Sequence, residues 1–482
     1  MSSLIISVSG LRGVVGESLT PQVAMNYVAA YSAFAEPGPF VITRDGRASG
    51  IMLSEAIITA LNTAGRPTID AGVAATPTTG ILVRQHLAAG GIQISASHNP
   101  SQYNGLKLFN DEGRVIPQGP GEKVKEIYQM QNAECRMQNG VQSAECRVQS
   151  DFHLTPHSTL HTPHSEPCSL NSEFSDTISA HLAAVLHTVD VEAIRAKKYR
   201  VLLDANRGAG GILGRKLLEE LGCDVMILGE TPDGQFEHTP EPTEENLQPV
   251  FEKVREAGVD IGFCQDPDAD RLAVIDASGR YLGEEYTVAM CFDHVLQTRT
   301  KGAVVINCAS SRMSQDVAEK HGVAIYRSAV GEANIVDMMK AKNAVFGGEG
   351  NGGPIDPKVG YVRDSFVGMA QLLDAMAARG KTIAELAAEL PSYAIVKRKI
   401  ALGGGHGVTV LPTIQSAIAA LETHYAHLPR DSQDGLRIDW PNAWLLVRAS
   451  NTEPIVRAIA EAETEQAANA LCDEAEAVMN AI

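Results

Sequence analysis

The chain has 482 residues, 44% hydrophobic and 20% charged, so it can bury substantial cores; at roughly 100–200 residues per domain it divides into three or four domains rather than one. Forty Lys and Arg against 58 Asp and Glu leave a net charge of −18, a field that repels nucleic acid and anionic membranes, so neither is expected as a partner. The eight cysteines form no CxxC pair, residues 4–8 are too few for a signal-peptide core, and no apolar run approaches the roughly 18 residues of a membrane span; reduced thiols and a cytoplasmic location are therefore expected.

In chain order, short β-branched or apolar runs at residues 40–43, 91–95, 200–203, 224–228, 303–307 and 344–346 alternate with helical stretches and Gly-rich turns, the pattern of repeated βα units. Polar loops after such strands are the expected ligand sites, because the helix N-termini that follow offer free N–H groups and partial positive charge. Residues 129–175 break the pattern. They are rich in Gln, Asn, Ser, His and Pro, and Ala133-Glu134-Cys135-Arg136 returns as Ala144-Glu145-Cys146-Arg147. The segment reads as an inserted, solvated loop; His153, His157, His161 and His164 lie in it without apolar periodicity and are assigned no metal. Near the C-terminus a helix is predicted over 412–424, a strand over 443–448 and a second helix over 453–480, together a small α+β module.

Four loops carry chemistry. Ser95-Ala96-Ser97-His98-Asn99-Pro100 follows an apolar strand and places a hydroxyl beside His98 and Asn99, although a serine there serves equally to cap a turn. Lys107 follows closely enough to reach the same pocket. Asp266-Pro267-Asp268-Ala269-Asp270-Arg271 offers three carboxylates at alternate positions, a set that suits a hard divalent cation. It is no EF-hand, since Arg271 and Ala277 stand where that loop needs Gly and Glu. Residues 347–353 place Glu349 and Asn351 among five glycines, two side chains able to bind vicinal sugar hydroxyls or simply a Gly-rich turn. Arg448-Ala449-Ser450-Asn451-Thr452-Glu453-Pro454 joins an arginine at a strand end to hydroxyl and amide donors and a predicted helix start, a phosphate cradle or a well-capped helix. Nucleophile, cation, sugar and phosphate loops occur once each, the set that phosphoryl transfer to a hydroxyl requires.

These loops, together with Ser9-Gly10-Leu11-Arg12-Gly13, Thr43-Arg44-Asp45-Gly46-Arg47, residues 204–210 and residues 240–247, resemble the α-D-phosphohexomutases over nearly the whole chain outside 129–175. The resemblance implies an α/β protein of four domains around a central cleft: three related α/β/α domains, at 1–175, 176–285 and 286–393, and a smaller α+β domain at 394–482. It further implies that Ser97 carries the phosphoryl group and that Asp266, Asp268 and Asp270 hold Mg2+ with the phosphoserine oxygen. Arg12 and Arg271 would stabilise the transferring group next to His98, and Lys107 would act as general acid or base. Glu349, Asn351 and Glu332 would read the sugar, with Arg448, Ser450, Asn451, Thr452 and Arg457 on its non-reacting phosphate. The substrate would be a phosphorylated hexose, with a sugar 1,6-bisphosphate as activator and intermediate.

Two departures bear on the sugar. Asn351 and Gly353 replace the Ser and His usual in bacterial phosphomannomutase-like members, and Glu332 stands where those often have His. The pattern is closer to archaeal-type phosphoglucosamine mutases, with mannose or glucose phosphate as the alternative. A sugar-phosphate-binding protein without chemistry is the rival from another class. It has no use for Ser97, three aspartates and Lys107 together.

Overall fold

The computed structural model describes residues 4–138, 176–299, 301–400, 410–449 and 456–481. Strands β1 (Ile5–Ser7), β2 (Gly10–Val14), β3 (Phe40–Arg44), β4 (Thr68–Val73), β5 (Gly90–Ile94) and β6 (Tyr103–Asn110) form one sheet in the order β1-β2-β6-β5-β3-β4. A second sheet, β10-β9-β7-β8, comprises β7 (Arg200–Asp204), β8 (Asp224–Leu228), β9 (Ile261–Gln265) and β10 (Leu272–Asp276). A third, β12-β11-β13-β14, comprises β11 (Val304–Asn307), β12 (Ile325–Ser328), β13 (Phe346–Glu349) and β14 (Gly353–Ile355).

The three sheets repeat one plan. A central strand (β3, β7, β11) lies between two parallel neighbours, and the later neighbour (β5, β9, β13) turns back into an antiparallel partner (β6, β10, β14). Helices such as Thr76–Gln85 and Gly210–Glu220 make the crossovers, covering both faces, which is why the central strands are continuously apolar rather than alternating. The connections β5–β6, β9–β10 and β13–β14 contain Ser97, the three aspartates and the Gly-rich loop, respectively.

The first sheet has its own core, around Tyr27, Tyr31, Phe40, Ile42 and Ile92. The second and third sheets share one, running from Val201 and Phe263 through Phe292 and Phe346 to Leu386, with Ala75 and Ile81 of the first unit joining it. Helix Ser365–Arg379 is its axis. Its residues are buried continuously from Ser365 to Ala377, as an all-round apolar helix must be, and the Asp364 carboxylate caps it by accepting from the Phe366 and Val367 amides. His181 Nε2 donates to that carboxylate at 2.7 Å, and Thr78 is joined to the other ring nitrogen at 2.9 Å, so one buried histidine ties three units together.

The fourth unit is an antiparallel sheet, β15-β19-β18-β17-β16, of β15 (Ala394–Ile400), β16 (Arg430–Asp431), β17 (Leu436–Trp440), β18 (Ala443–Ala449) and β19 (Val456–Ala462), backed by helices Val410–His424 and Glu465–Asn480. A narrow seam of Trp444, Leu446 and Cys308 joins it to the third unit. There Arg437 stacks on Trp444 at 4.2 Å and donates to the Cys308 carbonyl, while Glu461 Oε1 accepts both Trp444 Nε1 at 2.7 Å and the Arg312 amide at 2.9 Å.

Three expectations are corrected. Residues 456–462 are a strand, not the start of a helix: Val456, Ala458 and Ala460 alternate inward with Arg457 and Ile459, and the helix begins only at Glu465. The third unit's strand is Phe346–Glu349 rather than 344–346, so Gly347, Gly348 and Glu349 are ladder residues and not a turn. The segment expected to be a loop from 129 onward begins inside helix Gln118–Gln138, where Asn26 donates to Asn132 at 3.3 Å. Residues 139–175, including the four histidines, lie outside the described residues. The described cysteines Cys223, Cys264, Cys291, Cys308 and Cys472 are free thiols, and no described helix is long and apolar enough to cross a membrane.

The loop after β8 folds around Asn206 and His238. The His238 ring faces acceptors at both nitrogens, the Thr239 carbonyl at 2.9 Å and Asp204 Oδ2 at 2.8 Å, so both must carry protons. Burial alone would lower its pKa; the Asp204 hydrogen bond and charge, with Glu237 nearby, overcome this and raise it. A raised folded-state pKa gives stability that is complete below the ordinary histidine range and is lost as pH rises through the folded value. His238→Gln is expected to cost about 1 kcal/mol in urea unfolding at pH 5.5 and markedly less at pH 9. A pH-independent cost would show that the ring is held neutral.

Candidate active site

Ser97 sits in the left-handed region (φ 48°), a conformation that costs a non-glycine residue of order 1–3 kcal/mol and persists only where the surroundings enforce it. The enforcing contacts are all present. Ser95 Oγ accepts the Ser97 amide at 2.8 Å and donates to Asp45 Oδ2 at 2.7 Å; Arg47 is ion-paired with Asp45 and donates to the Ser97 carbonyl at 2.8 Å and to that of Asn99. Ser95 is thus consumed in holding the turn. The Ser97 hydroxyl is directed across to the second unit, donating to Asp266 Oδ2 at 2.7 Å, with His98 Nδ1 at 3.4 Å.

Asp266, Asp268 and Asp270 are fully buried, and one oxygen from each lies within 4.8 Å of the others. Ala269 between them also has positive φ (54°), which turns the alternate carboxylates to a common point. Asp266 Oδ1 accepts the amides of Asp270 and Arg271, both at 3.2 Å, and Asp268 Oδ2 accepts Thr76 Oγ1 at 2.5 Å. Asp268 Oδ1 and Asp270 Oδ1 are buried without a hydrogen-bond partner. Burial and the two neighbouring carboxylates push Asp266 well above the usual range; burial acts the same way on Asp268, but Lys107 and the Thr76 hydroxyl hold it below. Crowded carboxylates with orphaned, converging oxygens are the donor set of a hard divalent cation, so the residues fit such an ion.

Lys107 Nζ donates to Asp268 Oδ2 at 3.1 Å and to Asp270 Oδ2 at 2.9 Å. Burial alone would lower its pKa, but the two carboxylates raise it, so in this arrangement it is a charged donor and not a base. Arg12, on β2, is lowered by burial and stands in the field of Asp268, Arg271 and Arg47. Arg271 approaches Asp270 at 3.9 Å and Glu241 at 4.0 Å, and its Nε is buried without a partner. Burial, reinforced by Arg271 and Arg12, pushes His98 down to about 2, so its ring is neutral.

The sugar candidates converge on the same cleft, around a residue that sequence reading missed. Arg363 donates through Nε to Glu332 Oε2 at 2.9 Å, through Nη1 to Glu349 Oε2 at 2.7 Å, and through Nη2 to Asp270 Oδ2 at 2.6 Å. Glu349 is further occupied by Asn307 Nδ2 at 3.1 Å and Asn351 Nδ2 at 3.0 Å. What remains open is Glu332 Oε1 and Asn351 Oδ1, both buried acceptors without partners. The glycines here give room rather than flexibility: a Cβ on Gly353 would lie 2.5 Å from Arg363 Cδ, and one on Gly350 would strike the Glu285 carboxylate at 1.9 Å. Burial pushes Glu285 up to about 8, and it accepts the Ser311 amide at 2.9 Å beneath the loop.

The phosphate candidates are only partly brought in. Arg448 ends β18, faces Arg457 across the β18–β19 ladder and pairs with Asp434 at 3.2 Å. Ser450, Asn451 and Thr452 lie outside the described residues. Because β19 follows, this loop joins two strands and has no helix N-terminus to offer an anion.

Four family models match the chain in order. The phosphoglucomutase/phosphomannomutase α/β/α domains I, II and III match residues 4–134, 179–279 and 284–393, and the C-terminal domain matches 405–478. The chain is 34% identical to a phosphoglucomutase/phosphomannomutase of Thermococcus kodakarensis, covering 95% of this chain and 94% of that one. It is 30% identical to a protein of Methanopyrus kandleri named probable phosphoglucosamine mutase, covering 97% and 95%. Its fold matches the crystal structure of a phosphoglucomutase/phosphomannomutase family protein from Burkholderia thailandensis with a TM-score of 0.76 at 22% identity, over 99% of this chain and 98% of that one. With all four domains matched in order, the chain belongs to the phosphoglucomutase/phosphomannomutase family and is a phosphohexomutase enzyme.

Proposed function

We propose that the enzyme interconverts a hexose 6-phosphate and its 1-phosphate through a phosphoserine at Ser97 and a sugar 1,6-bisphosphate, with glucosamine phosphate as the preferred substrate. The observation that carries this reading is the Ser97 hydroxyl held at 2.7 Å from Asp266 within the buried aspartate cluster. Asp266, Asp268, Asp270 and the phosphoserine would hold Mg2+, which when bound neutralises charge at the point of transfer.

In the forward direction the Oγ–P bond of phospho-Ser97 breaks as the substrate's free hydroxyl oxygen bonds to phosphorus, and the hydroxyl's proton leaves to a base. Arg12 and Arg271 flank the transferring group with fixed positive charge, which a buried site makes effective. Lys107 is placed as the proton donor to the departing serine oxygen. The bisphosphate then turns over, its other phosphate returns to Ser97, and Arg448 with Arg457 and Ser450, Asn451 and Thr452 holds the phosphate that is not reacting. The domain limits 1–175, 176–285, 286–393 and 394–482 belong to the same proposal.

For the sugar, the open acceptors Glu332 Oε1 and Asn351 Oδ1 call for donors, and an ammonium group at C2 supplies more of them, with charge, than a hydroxyl. The relative in Methanopyrus kandleri carries the phosphoglucosamine mutase name, whereas that in Thermococcus kodakarensis favours glucose or mannose phosphate as the second reading. Incubation with each sugar 1-phosphate and a trace of its 1,6-bisphosphate separates isomerisation from hydrolysis and from binding alone.

Ser97→Ala is expected to abolish turnover and the roughly 80 Da mass increment of a phosphate ester, whereas Ser95→Ala, which loosens the turn without removing the nucleophile, keeps measurable amounts of both. A phosphate located on Ser95 by mass spectrometry would overturn the assignment.

Glu332→Gln is expected to lower kcat/KM for glucosamine 6-phosphate about tenfold more than for glucose 6-phosphate. Equal losses on the two sugars would remove the case for the amino sugar.

A further inference from the structure

Arg363 has no part in the transfer chemistry as described, yet it is the one side chain that touches both the cation loop and the sugar-facing carboxylates. Its three donor arms end on three elements: Asp270 after β9, Glu349 at the end of β13, and Glu332 at the start of helix Glu332–Lys342. The guanidinium is about one-tenth exposed and its backbone is fixed by its neighbour Asp364, which caps the buried helix and is gripped by His181. Gly353 lies against its stem with no space for a Cβ. Such a fork, planar and always charged, cannot follow one carboxylate without leaving another.

We propose that Arg363 is a positioning residue that sets sugar recognition against cation affinity. It holds Glu332 and Glu349 in register, leaving Glu332 Oε1 and Asn351 Oδ1 facing the cleft, and in doing so places a fixed positive charge on Asp270 Oδ2, the oxygen that Lys107 also occupies. A divalent cation at the aspartates meets that charge as a repulsion and as a competitor for Asp270. Sugar binding and cation binding therefore depend on Arg363 with opposite sign. This rests on the phosphohexomutase reading for the identity of the two ligands.

Calorimetric titration of the unphosphorylated full-length protein with Mg2+, and separately with glucosamine 6-phosphate, tests it, with circular dichroism confirming that each variant is folded. Arg363→Met is expected to tighten Mg2+ about tenfold by removing the neighbouring charge, while weakening the sugar phosphate at least as much. Arg363→Lys keeps the charge but not the fork, so Mg2+ should bind as in the wild type and the sugar phosphate should still weaken. Loss of affinity for both ligands in a folded Met variant, or unchanged Mg2+ affinity in it, overturns the proposal. Should the Met variant fail to fold, the Lys variant decides: wild-type Mg2+ affinity with weakened sugar binding supports it, and parallel loss of both overturns it. A wild-type protein that binds neither ligand would instead refute the reading of function on which it rests.

Discussion

Three carboxylates crowded within 4.8 Å and fully shielded from water cannot all remain charged without nearby positive charge, and much of the cleft is arranged around that requirement. Lys107 reaches Asp268 and Asp270 from the first unit, Arg363 reaches Asp270 from the third, and the hydroxyls of Thr76 and Ser97 complete the oxygens that the backbone leaves open. The nucleophile is thus part of the electrostatic solution. Its left-handed backbone is held by Ser95, Asp45 and Arg47 so that its hydroxyl points across the junction.

The same cleft answers a second problem, that of recognising an anionic substrate with a chain of net charge −18. Positive charge is concentrated where it is used. Arg12, Arg271, Arg363 and Lys107 crowd around the aspartates, and Arg448 is kept at hand by Asp434 on the fourth unit. The low-dielectric surroundings strengthen these local charges while the bulk field discourages larger polyanions.

Much of this was legible in the sequence because each chemical component sits in one contiguous loop after one apolar strand, so Ser97, the aspartates and Glu349 could be read without knowing which sheet carried them. Arg363 was not, since its meaning comes from partners 14, 31 and 93 residues away and nothing local marks it. Thr76 escaped for the same reason, its hydroxyl lying 192 residues from Asp268. The misreading of β19 has a different origin: Val456-Arg457-Ala458-Ile459-Ala460-Glu461-Ala462 is rich in alanine and glutamate, which favour helix, and only pairing on both sides, with β15 and β18, makes it a strand.

The separate core of the first unit sets an order on the maturation of the enzyme. A nascent chain can fold that unit and present Ser97 while its counterpart, 169 residues further on, is still being synthesised. At that stage the hydroxyl has no acidic cluster opposite it and no ion site beside it, so it is an ordinary alcohol. Competence arrives in one step, when the second unit docks and closes the junction. The protein therefore guards its reactive group by geography: no half-made copy has a site able to acquire a labile phosphate or lose one to water.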